Sequence, residues 1–163
     1  MPETQRQPVP RVDGSELDTA LAFLDFARAS VLKKIDGVDD ERLRSPLVET
    51  GTNLLGLVNH LTDGERYWFG HHVAGREEYS ELGFAMKAPP DAATSEVVEA
   101  YWDAIAASNE AVRRVGLDAL VVMPVDDEHL SVRWVVAHMT SETARHAGHA
   151  DILRELIDGV TGR

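Results

Sequence analysis

The 163-residue chain contains no cysteine, which excludes disulfides, thiolate metal ligands and a cysteine nucleophile together. Any thiol chemistry would need a thiol supplied as a cosubstrate. No apolar run approaches the roughly 20 residues of a membrane span, and the opening stretch MPETQRQPVPRVDG lacks the apolar core of a signal peptide. A soluble, cytoplasmic protein is expected. Positive charge is scarce as well, since 16 Lys and Arg stand against 28 Asp and Glu, a formal net charge of −12. Such a surface repels nucleic acid and anionic membranes, which leaves small molecules or proteins as partners. Internal repeats are missing, and the one β-like run, LVVMPVDD, is too short and isolated to build a sheet. It reads as an extended crossover.

What the chain does have is helical period. Residues 1–14 carry three prolines and no periodic apolar pattern, so an arm crossing the surface is expected there. Residues 15–163 then fit a single domain, long enough to bury a real core. Ser15 is a candidate N-cap for SELDTALAFLDFARASVLKKID, in which Leu17, Leu21, Leu24, Val31 and Ile35 share one face. Arg28 lies on that face too, where it either pairs with a core carboxylate, reaches a pocket, or snorkels along its stem to the edge. Asp39 to Arg44 reads as a short helical turn.

Thr52 or Asn53 caps a second helix, NLLGLVNHLTDGERYWFGHHVAG, with Leu54, Leu57, Val58, Leu61 and Trp68 on the period and His60 at the border of that face. Gly56 and Gly64, one turn before and after His60, weaken the helix and leave room above the imidazole. A boundary histidine hydrogen-bonded to a neighbouring helix is the other reading. His71 and His72 close the helix and suit the negative end of its dipole as surface residues. Residues 75–93 form a long loop that covers one end of the domain. Thr94 or Ser95 caps a third helix whose inner face runs through Val98, Tyr101, Ile105, Ser108, Val112 and Val115, with Ser108 its one small polar position.

The last helix is expected from Ser131 to Asp158. Its apolar stripe of Val135, Met139, Leu153, Leu156 and Ile157 is shared by His138, Glu142, His146 and His149. An unpaired buried ion costs several kcal/mol and an unsatisfied polar group about 1–3, so something must compensate these side chains. Glu142 and His146, one turn apart and mid-helix, set two ligand-type groups side by side. A divalent metal is the natural candidate, whereas His138 or His149 alone reads as a hydrogen-bonded or half-exposed residue.

Four long amphipathic helices joined by long crossovers specify an all-α four-helix bundle, in which sites are built from facing helices. If the second and fourth helices are neighbours, His60 meets Glu142 and His146 in a mononuclear two-histidine, one-carboxylate set with open positions, an arrangement that holds zinc, iron or nickel. A di-iron site needs two Glu-x-x-His motifs, which the chain lacks. Trp68, Phe69, Tyr101, Trp102 and Trp134 are more large aromatics than one small bundle interior accommodates, so an apolar patch and a homodimer are expected.

Three stretches, LAFLDFARASVLKKIDGV, TGTNLLGLVNHLTDGERYWF and WVVAHMTSETARHAGHADILRELIDG, make the sequence resemble the DinB/YfiT-like superfamily of metal-binding four-helix bundles, in particular its small actinobacterial branch. The resemblance implies a metal triad at His60, Glu142 and His146. Many members carry histidine where this chain has Glu142, while the mycothiol-dependent maleylpyruvate isomerase branch carries glutamate. It also implies one divalent metal, zinc before nickel or iron, and a low-molecular-weight thiol of the mycothiol type in an S-transferase or isomerase reaction on a small-molecule substrate. His138, His149 and Arg28 are expected around the site as pocket residues that orient a ligand or move a proton. A non-catalytic, stress-associated metal-binding bundle and a metal-dependent hydrolase stay open as alternatives, since no residue is identifiable as a catalytic base.

Overall fold

The computed structural model describes residues 7–162; of the expected N-terminal arm, residues 1–6 lie outside the described residues. The fold is all-α, with no strand among the described residues. Helix α1 spans Glu16–Lys33, α2 Asp40–Arg44, α3 Leu54–Glu65, α4 Thr94–Val115 and α5 Val132–Asp158. Two of the expected caps form, at Ser15 and Asn53, and Ser131 caps the last helix as well, each through a side-chain oxygen that accepts an otherwise orphaned backbone N–H. Ser15 Oγ accepts from Asp18 N at 3.1 Å, Asn53 Oδ1 from Gly56 N at 2.8 Å, and Ser131 Oγ from Trp134 N at 3.2 Å.

The cap of α4 sits one residue earlier than Thr94. Ala93 has no acceptor of its own, so Glu96 reaches back to its N–H at 2.8 Å, and the Thr94 hydroxyl donates instead to Asp40 on α2. That exchange ties α4 to α2 at the cost of a conventional cap.

Helix α1 packs against α5 and α3 against α4, while α3 also touches α5. Leu21, Leu24 and Val31 of α1 are buried as their spacing requires, as are Val135, Met139 and Leu153 of α5. Leu156 is not, being 60% exposed. Over the last two turns of α5 the inward face passes through Ala150 and Arg154, because the Arg154 guanidinium donates to the Lys34 and Asp36 carbonyls at 3.0 and 2.7 Å and so turns that side toward α1. On α4, Val97 is buried, while Val98 is only partly covered and Val115 is exposed.

Arg28 takes the first of its three expected fates. It forms a bidentate pair with buried Glu65 of α3, Nε to Oε1 at 2.8 Å and Nη2 to Oε2 at 2.6 Å, with Nη1 donating to Asn109 of α4.

The second helix departs most from expectation. After Glu65 its backbone widens into a π-helical segment, Arg66–Val73, closed by an i→i+5 bond from Ala74 N to Phe69 O at 2.9 Å. The widened turns carry His71 and His72 inward. Both are buried rather than on the surface, each held through Nδ1 by a carbonyl, Arg76 O at 3.1 Å and Met123 O at 2.8 Å. The expected extended crossover after α4 supplies that second carbonyl, and it closes on itself through isolated bridges Leu120 to Ser131 and Val125 to Glu128.

The loop after the π-helical segment, with a single 3-10 turn at Glu77–Tyr79, folds back over α3. A Cβ at Gly56 would collide with the Met86 carbonyl oxygen, and one at Gly64 would lie 3.4 Å from Met139 Cε. The two glycines therefore admit the loop backbone and a methionine, and the space expected above His60 is already filled.

Candidate functional site

Because α3 and α5 are neighbours, His60 and His146 face each other with ring centroids 4.8 Å apart. One turn before His146, Glu142 brings Oε2 to 3.9 Å from its Nε2. One turn after it, His149 brings Nδ1 to 3.2 Å from His146 Nδ1. Four polar side chains thus converge where the two helices meet.

His146 is only 7% exposed. Burial first, then repulsion from His60 and His149, depresses its pKa to about 4 against the weaker pull of Glu142, so at neutral pH it is an uncharged imidazole. Glu142 is less enclosed than its mid-helix position suggests. Its side chain is 34% exposed, and Oε1 accepts from the Arg145 guanidinium at 3.3 Å on the solvent side. The carboxylate is therefore shared between the histidine and a surface arginine. Among the described residues, no three His, Asp or Glu side chains stand already spaced to hold an ion.

His60 is oriented by the loop above it. Its Nδ1–H donates to the Phe84 carbonyl at 2.9 Å, which leaves Nε2 as the lone-pair nitrogen. A ligating imidazole has its tautomer fixed in this way, by a carbonyl on its far nitrogen. Phe84 holds that carbonyl in place from a backbone conformation with φ 49°, an uncommon one for a bulky residue and costly unless neighbours enforce it. The neighbours are Tyr67, whose ring meets Phe84 edge-on at 5.2 Å, and Asp63, which accepts from the Phe84 N–H and whose carboxyl burial raises above the usual range.

Beside the cluster, His149 forms part of the wall of a hollow of about 290 Å³, completed by Val48, Thr50, Thr52, Met86, Ile152 and Leu153. Its lining is mostly apolar. Ile152 is 59% exposed at its edge, so an apolar body entering from solvent would cover surface the fold leaves bare.

A family model described as mycothiol-S-transferase matches residues 19–159. The chain belongs to the mycothiol-S-transferase family. That family lies within the DinB/YfiT-like superfamily, in agreement with the resemblance read from the three sequence stretches. No curated protein matches the chain.

For a member of this family the structure brings together His60, Glu142, His146 and His149, and keeps two expected site residues elsewhere. His138 lies two turns before His146, about 12 Å along the helix, stacked at 5.1 Å and 8° on Trp134 and 4.5 Å from Trp68. Arg28 is committed to Glu65. Sequence reasoning missed Phe84, Thr50 and Thr52. The loop that carries Phe84 has no periodicity to mark it, and a positive φ leaves no trace in a sequence unless glycine or asparagine occupies it.

Proposed function

We propose that this chain is a metal-dependent S-transferase or isomerase that joins a low-molecular-weight thiol of the mycothiol type to a small electrophile. The observation that carries the reading is the meeting of His60, Glu142 and His146 across two helices, with one imidazole fixed by Phe84 and the other kept uncharged by burial. Two neutral imidazoles and a carboxylate are the donor set of a mononuclear zinc site, with nickel or iron as alternatives. These three residues would hold the ion once Glu142 leaves Arg145. When bound, the metal would lower the pKa of a thiol and supply a thiolate at neutral pH.

The remaining work falls to the protein. The hollow beside His149 receives the electrophile. The thiol loses its S–H proton, and the sulfur–carbon bond forms as the electrophile's leaving group departs from that carbon with its bonding pair and is released to solvent. His149, touching His146 on one side and solvent on the other, takes that proton and releases it to water. With no cysteine in the chain, the sulfur must arrive on the cosubstrate. Helices α1, α4, α5 and the long α3 with its π-helical extension act as one four-helix bundle over residues 15–163, working in the cytoplasm. Exposed Trp102 and Trp134 favour a homodimer, which light scattering at tens of micromolar would reveal.

The deciding experiment measures metal content, melting temperature and S-conjugation across a panel of thiols for wild type and for His60→Ala, Glu142→Ala and His146→Ala, each with and without chelator. About one ion per chain is expected in wild type, with loss of both ion and activity in each variant, since outer contacts alone change affinity only 10–100-fold. His149→Ala should retain the ion and lose activity. A wild type that takes up no metal would leave the non-catalytic bundle as the better description.

A further inference from the structure

The hollow beside His149 discriminates by charge, which rests on the function proposed above and narrows its electrophile. The discrimination begins with how two loop segments divide their side chains. Before α3, Val48, Thr50 and Thr52 line this hollow, whereas Gly51 and Asn53 line a separate one of about 390 Å³. The loop that folds back over α3 divides in the same way, with Met86 on the near hollow and Lys87 on the far one, where Arg44 also lies. Met86 is fixed in this place because its carbonyl oxygen stands where a Cβ at Gly56 would be. The alternation therefore carries both cations of these segments away from His149.

What remains on the near side carries no Asp, Glu, Lys or Arg. Leu153 is buried, Val48 and Ile152 are exposed at the edge, and His149 is the one titratable group on the wall. The cations on α5 and α1 just outside are already matched, Arg145 by Glu142 at 3.3 Å and Lys34 by Asp151 at 2.8 Å. Glu49, next to Val48, and Glu155, three residues after Ile152, add exposed carboxylates in a chain of net charge −12. A bound divalent ion would not reverse this balance, since Glu142 and a thiolate would match its two charges. A carboxylate entering the hollow would lose hydration and meet no free cation in exchange.

Besides His149, the wall's polar side chains are a hydroxyl pair. Thr50 Oγ1 and Thr52 Oγ1 lie 3.1 Å apart. Whichever of them donates, the other keeps its own O–H, so the pair has one donor to offer. Sites for small molecules combine apolar walls with a few polar groups that set orientation. A closed apolar cavity of about 150 Å³ holds benzene, so a hollow of about 290 Å³ takes a substituted ring. We infer that this hollow seats an uncharged electrophile with an apolar, ring-sized body, one neutral acceptor atom resting on the Thr50 and Thr52 hydroxyls, and that it rejects carboxylate-bearing electrophiles. Of the two reaction classes proposed above, S-transfer to an uncharged molecule fits the hollow, and isomerisation of a carboxylate-bearing one does not.

The test titrates acetophenone and benzoate, matched in size and different in charge, into full-length protein freed of metal by chelator, and follows backbone amides by NMR. Saturable shifts at Thr50, Thr52, Met86 and Ile152 are expected for acetophenone by about 10 mM, with benzoate at least about tenfold weaker, the scale of one unpaired charge. Either threonine alone still has a hydroxyl to donate, so the double variant Thr50→Val/Thr52→Val is the one that should weaken acetophenone, by about threefold to tenfold. Ile152→Lys, at the exposed edge, should bring benzoate level with acetophenone. Benzoate equal to acetophenone in wild type, no saturation by acetophenone, shifts confined to another hollow, or indifference to both variants would overturn the inference. With metal and thiol supplied, 4-nitrobenzyl chloride should exceed 4-(chloromethyl)benzoate by at least about tenfold in kcat/KM, each relative to its uncatalysed rate, chloride leaving with its bonding pair in both. Equal conjugation of the two overturns this inference and leaves the proposed function standing. Charge-selective binding of acetophenone to a protein that takes up no metal and conjugates nothing ends the proposed function and leaves the selectivity of the hollow in place.

Discussion

Arg28 with Glu65 and His60 with His146 are both polar meetings against apolar packing, on different sides of α3, and they are resolved differently. The arginine and glutamate satisfy each other in a bidentate pair, with Asp25 and Asn109 taking a further N–H at 2.7 and 2.8 Å. Nothing is left over except the Tyr101 hydroxyl, buried nearby without a hydrogen-bond partner among the described residues. Burial and the neighbouring Glu65 push that phenol well above its usual range, so it stays neutral. The histidines meet with no opposite charge between the rings and with His60 Nε2 uncommitted. A polar pair that completes itself belongs to the fold, whereas a pair that leaves nitrogens open can serve chemistry.

The largest effect should come from breaking the completed pair. Glu65→Ala leaves a buried guanidinium unpaired, at a cost of about 3–5 kcal/mol. That corresponds to a fall in melting temperature of roughly 10 °C or more, readable by urea or thermal unfolding. The double variant Arg28→Met/Glu65→Leu should recover most of the loss, because removing both charges removes the penalty. If the double variant is as unstable as the single, the pair is more than a self-compensating ion pair.

Acid should act on the histidines instead. His146 and His72 both have pKa values held below the ordinary 6.5, chiefly by burial, His146 at about 4. The unfolded chain therefore binds protons that the folded chain refuses, and metal-free protein should lose stability as pH falls from about 6.5 toward 4. The loss should reach roughly 2–3 kcal/mol, and His146→Phe should flatten much of this dependence in chelator-treated protein. An unchanged slope would place the titrating group elsewhere.

The smallest effect tests how the open pair is held. Gly56→Ala pushes its new methyl into the Met86 carbonyl, at a cost of about 1–3 kcal/mol. The strained loop should shift and Phe84 should release His60. Metal affinity should then fall with the helices intact by circular dichroism, whereas unchanged affinity would show that His60 needs no support from the loop.

The location of α1, α4 and α5 could be read from the chain because a helical apolar period is a local property that neighbours rarely override, even where, as at Thr94, a neighbouring helix took over the expected cap. The gathering of His60, Glu142 and His146 could be anticipated for the same reason, since histidines on an apolar stripe demand a partner wherever the helices meet. Periodicity said nothing about depth. It gave Leu156 and His71 the same standing as their neighbours, and tertiary packing exposed the one and buried the other. The π-helical widening, the seat of Met86 against Gly56 and the inward turn at Arg154 each depend on a segment distant in sequence. From sequence alone came an all-α chain without cysteine whose last helix carries histidines on a core-facing stripe. Only the tertiary structure decided that Arg28 is spent on Glu65, that Phe84 orients His60, and that His138 lies among tryptophans, because each of those outcomes is a contact between elements whose relative placement no local pattern encodes.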